Sequence, residues 1–360
     1  MGTGKLATSS HASIRPGRVS QRDVAQEAGV SQATVSRVFT AEESVSEEKV
    51  EAVRTAAERL GYRPDAIARS LVQDATRIIG LSIMRFTNPF YARMIRDFTR
   101  AVQERGYWTL LLNVANHEEM EETLPMALQY QVDGVIVTSA TLSSGMAEEF
   151  ARSGTPVVLF NRYVLGSSTN AVCCDNVEGA RMVADALLDG GHQRIAYVTG
   201  EIGSSTNRDR EKGFTERLKE RGYALELRDI GDYSYESGAK AARRLLQSGD
   251  PPDAIFCAND LMAMGALDVA RCQMDIEVPD ELSIIGFDDI PMASWENYSL
   301  TTIRQPIKRM VDATVDVLMD AIETSQADPV LRWIPPEFIE RGSARTTERQ
   351  IEPGQGDQTR

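Results

Sequence analysis

The stretch VSQATVSRVF, residues 30–39, threads Val30, Val35 and Val38 among Ser31, Gln32, Ala33, Thr34, Ser36 and Arg37. Wound as a helix, it buries a narrow apolar stripe and presents an amide, a methyl and a forked cation. Those groups suit the edges of nucleic-acid bases. The Gln32 amide can read a base edge, the Ala33 methyl can touch thymine, and the Arg37 guanidinium can fork onto guanine. The free N–H groups of the first turn, with the Ser31 and Thr34 hydroxyls, suit phosphate oxygens. A merely solvated helix face shows the same residue types, so this stretch alone leaves both readings open.

A second set of chemically capable residues follows short apolar runs further along the chain. They are Phe90 and Tyr91, Asn161 and Arg162, and Asp175 with Asn176. Later come Arg210, Tyr233, the pair Asn259–Asp260, and the pair Asp288–Asp289. Amides, carboxylates, Arg forks and flat rings suit a polyhydroxylated ligand, in which hydroxyls pair with polar groups and C–H faces lie on aromatic rings. Asp289 and Asn259–Asp260 also suit the plainer work of capping a helix or shaping a turn.

The elements that would position these residues divide the chain in two. Ser20, with Asp23 three residues on, predicts a capped helix over 21–28. Gly29 closes that helix, Ser31 caps the next to about Phe39, and Ser46 caps a third through Leu60, ended by Gly61. Two helices joined by a tight glycine turn, with a third behind, make a helix-turn-helix. From Arg77 the rhythm changes to apolar runs alternating with amphipathic stretches: IIGLSIM, YWTLLLNV, DGVIVTSA, PVVLFN, NAVCC, RIAYVT, ALELRDI, DAIFCAN and LSIIGF. That alternation predicts doubly wound parallel sheets. RGYWTLLL echoes RGYALEL, VDGVIVTSA echoes PDAIFCAND, and PVVLFNR echoes LSIIGFDD, which predicts two α/β lobes in tandem. Such lobes bind ligands in the cleft outside the carboxyl ends of their strands.

Composition narrows the function further. The 360 residues carry a formal net charge of −14, but residues 1–40 hold five Lys or Arg against two Asp or Glu. An acidic body with a small basic head leaves that head as the place where a polyanion docks. No apolar run approaches the roughly 20 residues of a membrane span. The first 20 residues have no continuous apolar segment and make a poor secretory signal, so a cytoplasmic protein is expected. Cys173, Cys174, Cys257 and Cys272 show no CxxC spacing and read as buried, reduced thiols. With three scattered histidines, no metal or other cofactor is expected. A metabolic enzyme would need a motif such as GxGxxG after a strand, GxxxxGK[ST], HExxH or GxSxG, and none is present. A solute-binding uptake protein would share the two-lobed fold but has no use for the helical head.

Residues 19–71 closely resemble the headpiece of the lactose/galactose repressor (LacI/GalR) family. The resemblance rests on DVAQEAGVS, TVSRV on the second helix, the Val45–Ser46 start of the third, and LGYRPDAIARSL after it. The remainder to about Gly342 resembles the family's effector domain. The resemblance implies a homodimeric transcriptional repressor that binds a pseudo-palindromic double-stranded operator under control of a small-molecule effector, most simply a sugar or sugar derivative. It also implies that Gln32, Ala33 and Arg37 read bases, with Ser31, Thr34, Ser36 and Arg22 on the DNA backbone. RPDAIARSLV matches the hinge that becomes a helix on DNA, and Leu71 matches the residue wedged into the minor groove. Asp65 departs from the Asn commonly found after the hinge proline and brings a carboxylate near the phosphates. Phe90, Tyr91, Arg162, Asp175, Arg210, Tyr233, Asn259 and Asp288 are the expected effector contacts. Purine-binding members share the scaffold, and the sign of the response stays open between inducer and corepressor. The expected organisation is an extension (1–17), a headpiece (18–62), a hinge (63–76), an effector domain (77–342) and a disordered tail (343–360). Within the effector domain, lobe 1 takes 77–176 and 306–330, and lobe 2 takes 177–305 and 331–342.

Overall fold

The structure, a computed structural model, describes residues 19–40, 44–63, 75–84, 86–114, 116–138, 144–164, 166–324 and 329–347. The chain forms two compact units, residues 1–76 and 77–360. The N-terminal extension, Leu71 with most of the hinge, and everything beyond 347 lie outside the described residues.

In the first unit, three helices, α1 (Gln21–Glu27), α2 (Gln32–Thr40) and α3 (Glu47–Leu60), close over Val24, Val35, Val38, Val50 and Val53. The Ser20 backbone N–H donates to Asp23 at 2.8 Å, and Asp23 N–H returns a bond to the Ser20 hydroxyl at 3.4 Å. These bonds hold the Asp23 carboxyl below its usual range. Gly29 and Gly61 take the left-handed conformation, with φ of 67° and 66°, which lets the helices before them stop within one residue. Ser46 stands at the start of α3, but its hydroxyl makes no capping bond. Glu47 and Glu48 in the first turn supply the negative charge there instead.

The second unit holds two six-stranded sheets of matching order. Lobe 1 sets β1 (Ile78–Met84) between β2 (Trp108–Val114) and β3 (Gly134–Val137), followed by β4 (Val157–Phe160), β5 (Asn170–Cys174) and β11 (Leu331–Ile334). Lobe 2 repeats the order with β6 (Ile195–Thr199) between β7 (Leu227–Ile230) and β8 (Ala254–Cys257), then β9 (Ser283–Asp288), β10 (Thr301–Arg304) and β12 (Glu337–Ile339). Each sequence echo therefore occupies the same place in its own sheet. All pairings are parallel except β10 with β12. The central strands β3, β4, β6, β8 and β9 are buried throughout, as sheets covered on both faces require. In lobe 1 the helices are α4 (Pro89–Glu104), α5 (His117–Gln129), α6 (Ser144–Ser153) and α11 (Ile307–Thr324). Lobe 2 has α7 (Asn176–Asp189), α8 (Ser205–Glu220), α9 (Tyr235–Leu246) and α10 (Asp260–Asp268).

The chain passes between lobes three times: at Asp175–Asn176, at Gln305–Pro306 and at Pro335–Pro336. The third passage corrects the expected boundary after residue 330. Leu331 to Ile334 pair in register with Ala171 to Cys174, so this segment completes the lobe 1 sheet before the two prolines lead across. The expected disorder from Ser343 is corrected as well. The buried Ser343 hydroxyl donates to the Ile284 carbonyl at 2.6 Å, and Arg345 N–H donates to Ser283 at 2.9 Å. Cys272 is exposed on the short π-turn after α10, whereas Cys173, Cys174 and Cys257 are buried as expected. Burial pushes the Cys174 thiol up to about 12.

Close helix packing in lobe 2 rests on glycines. A Cβ on Gly238 of α9 would overlap the Met262 backbone of α10. Alanine normally stabilises a helix interior by about 1 kcal/mol over glycine. Here the overlap with backbone dominates, and Gly238→Ala should lower stability by about 1–3 kcal/mol. The same change at Gly249, which has open space around it, should leave the thermal melt nearly unmoved.

Candidate functional site

On α2, Val35 and Val38 face the core, and Ser31, Gln32, Ala33 and Arg37 are exposed together. The Thr34 N–H donates to the Ser31 hydroxyl at 3.1 Å, and the two hydroxyls lie 2.9 Å apart. The first turn of α2 contains no acidic residue, so its positive end is not neutralised from within. The Arg37 Nε reaches back to the Ala33 carbonyl at 3.4 Å, leaving the rest of the fork outward. Arg22 is exposed on α1, and Ser36 is half-buried. The helix thus carries a continuous donor and acceptor face.

The second unit contains a cleft at the carboxyl ends of the strands, partly open to solvent. It gathers Phe90, Tyr91 and Arg162 from lobe 1 with Arg210, Tyr233, Asn259 and Asp288 from lobe 2. Four further side chains line it: Asn88, Asn161, Thr206 and Gln305. Asn161 followed an apolar run in the sequence. Asn88 could have been suspected from its place before Pro89, where it caps α4 by accepting from Phe90 N–H at 3.0 Å. Gln305 follows β10, whose sequence TTIR gave no apolar signal, and Thr206 carried none.

Asp175 is the exception among the expected cleft residues. Its carboxylate caps α7, accepting from Glu178 N–H at 3.0 Å, and it does not line the cleft. A carboxylate after a strand serves the next helix as readily as a ligand, and here the helix takes it.

Arg210 and Asp288 form the polar centre. The Arg210 Nε donates to Asn176 at 2.8 Å, Nη1 donates to the Ala258 carbonyl, and Nη2 lies 3.3 Å from Asp288 Oδ1. The guanidinium also lies 3.7 Å above the centre of the Phe287 ring. Gln305 Nε2 donates to the same Asp288 oxygen at 2.7 Å. Both central residues are thus bonded to passages between lobes, Arg210 through Asn176 and Asp288 through Gln305. Burial raises the Asp288 carboxyl above its usual range, and the Arg210 cation opposes that shift. Asp260 behind it is raised by complete burial and, secondarily, by the charge of Asp288. Asp260 serves the fold, accepting from Ile290 N–H at 2.8 Å and the Thr302 hydroxyl at 2.5 Å.

Tyr233 is nearly buried, with its hydroxyl within 3.1 Å of Ser204 and 3.0 Å of Thr206. Its backbone is left-handed, with φ of 70°, and Asn259 Nδ2 steadies it by donating to the Tyr233 carbonyl at 3.0 Å. Asn259 Oδ1 meanwhile caps α10 through Met262 N–H, so Asn259 does the turn-shaping work as well as lining the cleft. Two buried acceptors, Asn161 Oδ1 and Gln305 Oε1, have no hydrogen-bond partner. No group of His, Cys, Asp or Glu able to hold a metal occurs among the described residues. No helix among them is long and apolar enough to cross a membrane.

Residues 20–65 match the family described as bacterial regulatory proteins, lacI family, and residues 184–344 match a periplasmic binding protein-like domain. The ribose operon repressor of Escherichia coli K12 is 34% identical over 329 residues, covering 90% of this chain and 99% of its own length. The chain belongs to the LacI family. It is a DNA-binding transcriptional regulator, and its helix-turn-helix and two-lobed domain are those of the family. The PurR repressor of Photobacterium profundum is 32% identical over 328 residues, covering 90% of this chain and 98% of its own. The lac repressor dimer bound to operator and an anti-inducer superposes with a TM-score of 0.83 at 26% identity, covering 92% of this LacI-family chain and 100% of the repressor. A CelR–cellobiose complex superposes at 0.69 with 30% identity, covering 91% and 100%.

Proposed function

We propose that this regulator is a homodimeric repressor acting in the cytoplasm, whose hold on a pseudo-palindromic operator is set by a carbohydrate bound in the two-lobed cleft. Two copies of α2 would enter successive major grooves, with Gln32, Ala33 and Arg37 on base edges and Ser31, Thr34, Ser36 and Arg22 on the backbone. The observation that carries the effector half is the bonding of the cleft centre to the passages between lobes. A ligand that draws on Arg210 and Asp288 pulls on Asn176 and Gln305, and so biases the angle between lobes. The unpartnered acceptors Asn161 Oδ1 and Gln305 Oε1 call for hydroxyl donors, which fits a sugar. The ribose and cellobiose named for two relatives support the same class.

The test starts with selection of bound sequences from random duplexes by the purified chain. A palindromic consensus is expected, and sequence-blind binding would refute the reading. Sugars and purines are then added to the selected complex, and release or tightening is read by fluorescence anisotropy. Allosteric coupling is typically about 1–3 kcal/mol, so a 5- to 150-fold change in operator affinity is expected for the effector.

A further inference from the structure

Resting on the reading that the angle between lobes governs the hold on DNA, we propose that Tyr163 is a clasp between the lobes. It is a positioning residue outside the cleft lining, and it sets the balance between clasped and parted arrangements of the cleft. Tyr163 follows β4 in lobe 1. Its hydroxyl donates to Asp209 Oδ1 at 3.0 Å, and its backbone N–H donates to the Ser205 hydroxyl at 3.3 Å. Both partners belong to α8 of lobe 2, one turn apart and so on one face of that helix. The Arg208 guanidinium lies 5.1 Å from the centre of the Tyr163 ring. Beside Tyr163, Arg162 pairs with Glu201, which precedes α8, at 3.5 Å. From its own lobe the ring meets Trp333 of β11 edge to face, with centres 5.0 Å apart and planes at 89°.

The helix that Tyr163 grips also carries part of the cleft wall. Ser205 and Asp209 form one stripe of α8, and the neighbouring stripe, Thr206 and Arg210, lines the cleft. The clasp therefore holds Arg210 in place opposite Phe90, Tyr91 and Arg162 of lobe 1. A ligand that touches both lobes binds the clasped arrangement, and its apparent affinity falls as that arrangement is depopulated. Asp209 is 5% exposed and is served by the Tyr163 hydroxyl and by Arg208 Nε at 3.4 Å. Burial raises the Asp209 carboxyl, and both donors oppose that shift. When the lobes part, water can take the place of the hydroxyl on Asp209. Loss of the hydroxyl thus destabilises the clasped arrangement and spares the parted one.

The test uses the full-length protein without any sugar. Tyr163→Phe keeps the ring against Trp333 and Arg208 and removes only the hydroxyl. Hydrogen exchange of the Tyr163 amide is expected to be about 3- to 10-fold faster, the net worth of one hydrogen bond. Exchange in β3 and the thermal melt should not move. Affinity for the selected operator should shift by a similar factor. Asp209→Ala should act in the same direction, and the double variant should go no further than the larger single change, because both remove one bond. A Phe variant that exchanges like the parent would reduce Tyr163 to ring packing and overturn the clasp. Additive effects of the two changes, or faster exchange throughout both sheets with a lower melt, would overturn it as well. Faster exchange confined to the clasp, with operator affinity unmoved, would support the clasp and overturn instead the coupling of lobe angle to DNA.

Discussion

Arg210→Ala is expected to give a regulator that still folds and binds operator but responds to no effector. The guanidinium is 2% exposed and answers Asp288, the Ala258 carbonyl and Asn176 at once. Its removal strands a buried carboxylate, a loss of about 3–5 kcal/mol in comparable pairs. The groups facing Asp288 are Arg210, Gln305 and the carboxyl of Asp260 behind it. Without the cation, burial and Asp260 together push the Asp288 carboxyl further up. A raised carboxyl contributes stability that is present below its unfolded value, near 4, and is lost as pH rises through its folded value. The deficit of the variant should therefore be small near pH 4 and full at pH 8, which thermal melts across that range would read. Adding Asp288→Asn removes the stranded charge and should recover much of the stability but none of the effector response. A double variant that regains the response would show that Arg210 acts only through packing.

Asp288 was legible in sequence because it closes the apolar run LSIIGF and Tyr233 because it stands just after ALELRDI, whereas Arg210 lies in the polar stretch STNRDREKGF and was marked by the family resemblance. Nine strands were readable from such runs, and three were not. β10 is TTIR, whose Thr301 and Thr302 are fully buried yet read as polar, since their partners Ser343 and Asp260 are distant in sequence. β11 and β12 are short edge strands, LRWI largely exposed and EFI mostly half-buried, where pairing and not burial defines the strand. Missing β10 concealed Gln305, and missing β11 misplaced the third passage between lobes. The helical head was readable almost to the residue because its signals are local: a capping box at Ser20 and Asp23, and glycines at the two helix ends. Asp175 shows the opposite case. A helix cap and a cleft ligand call for the same residue at the same place after a strand, and only the surrounding geometry separates them.

Arg37→Ala should remove most of the preference for operator over random DNA while leaving the first unit as stable as before. The side chain is exposed, and its described hydrogen bond is the 3.4 Å contact with the Ala33 carbonyl. Alanine is also the better helix former, so any loss must come from DNA. A bidentate contact with guanine is worth about 1–3 kcal/mol of discrimination, and a dimer loses it in both half-sites. The salt dependence tells base reading from mere charge attraction. A cation on phosphate contributes about 0.9 to the slope of log affinity against log salt concentration, whereas one on a base edge leaves that slope nearly intact. Footprint-matched titrations at several salt concentrations should therefore show a lower operator affinity, an unchanged random-DNA affinity and nearly parallel salt lines. Discrimination retained with a slope shallower by about one per half-site would move Arg37 onto the phosphates. Specificity would then rest on Gln32 and Ala33 at the exposed start of α2.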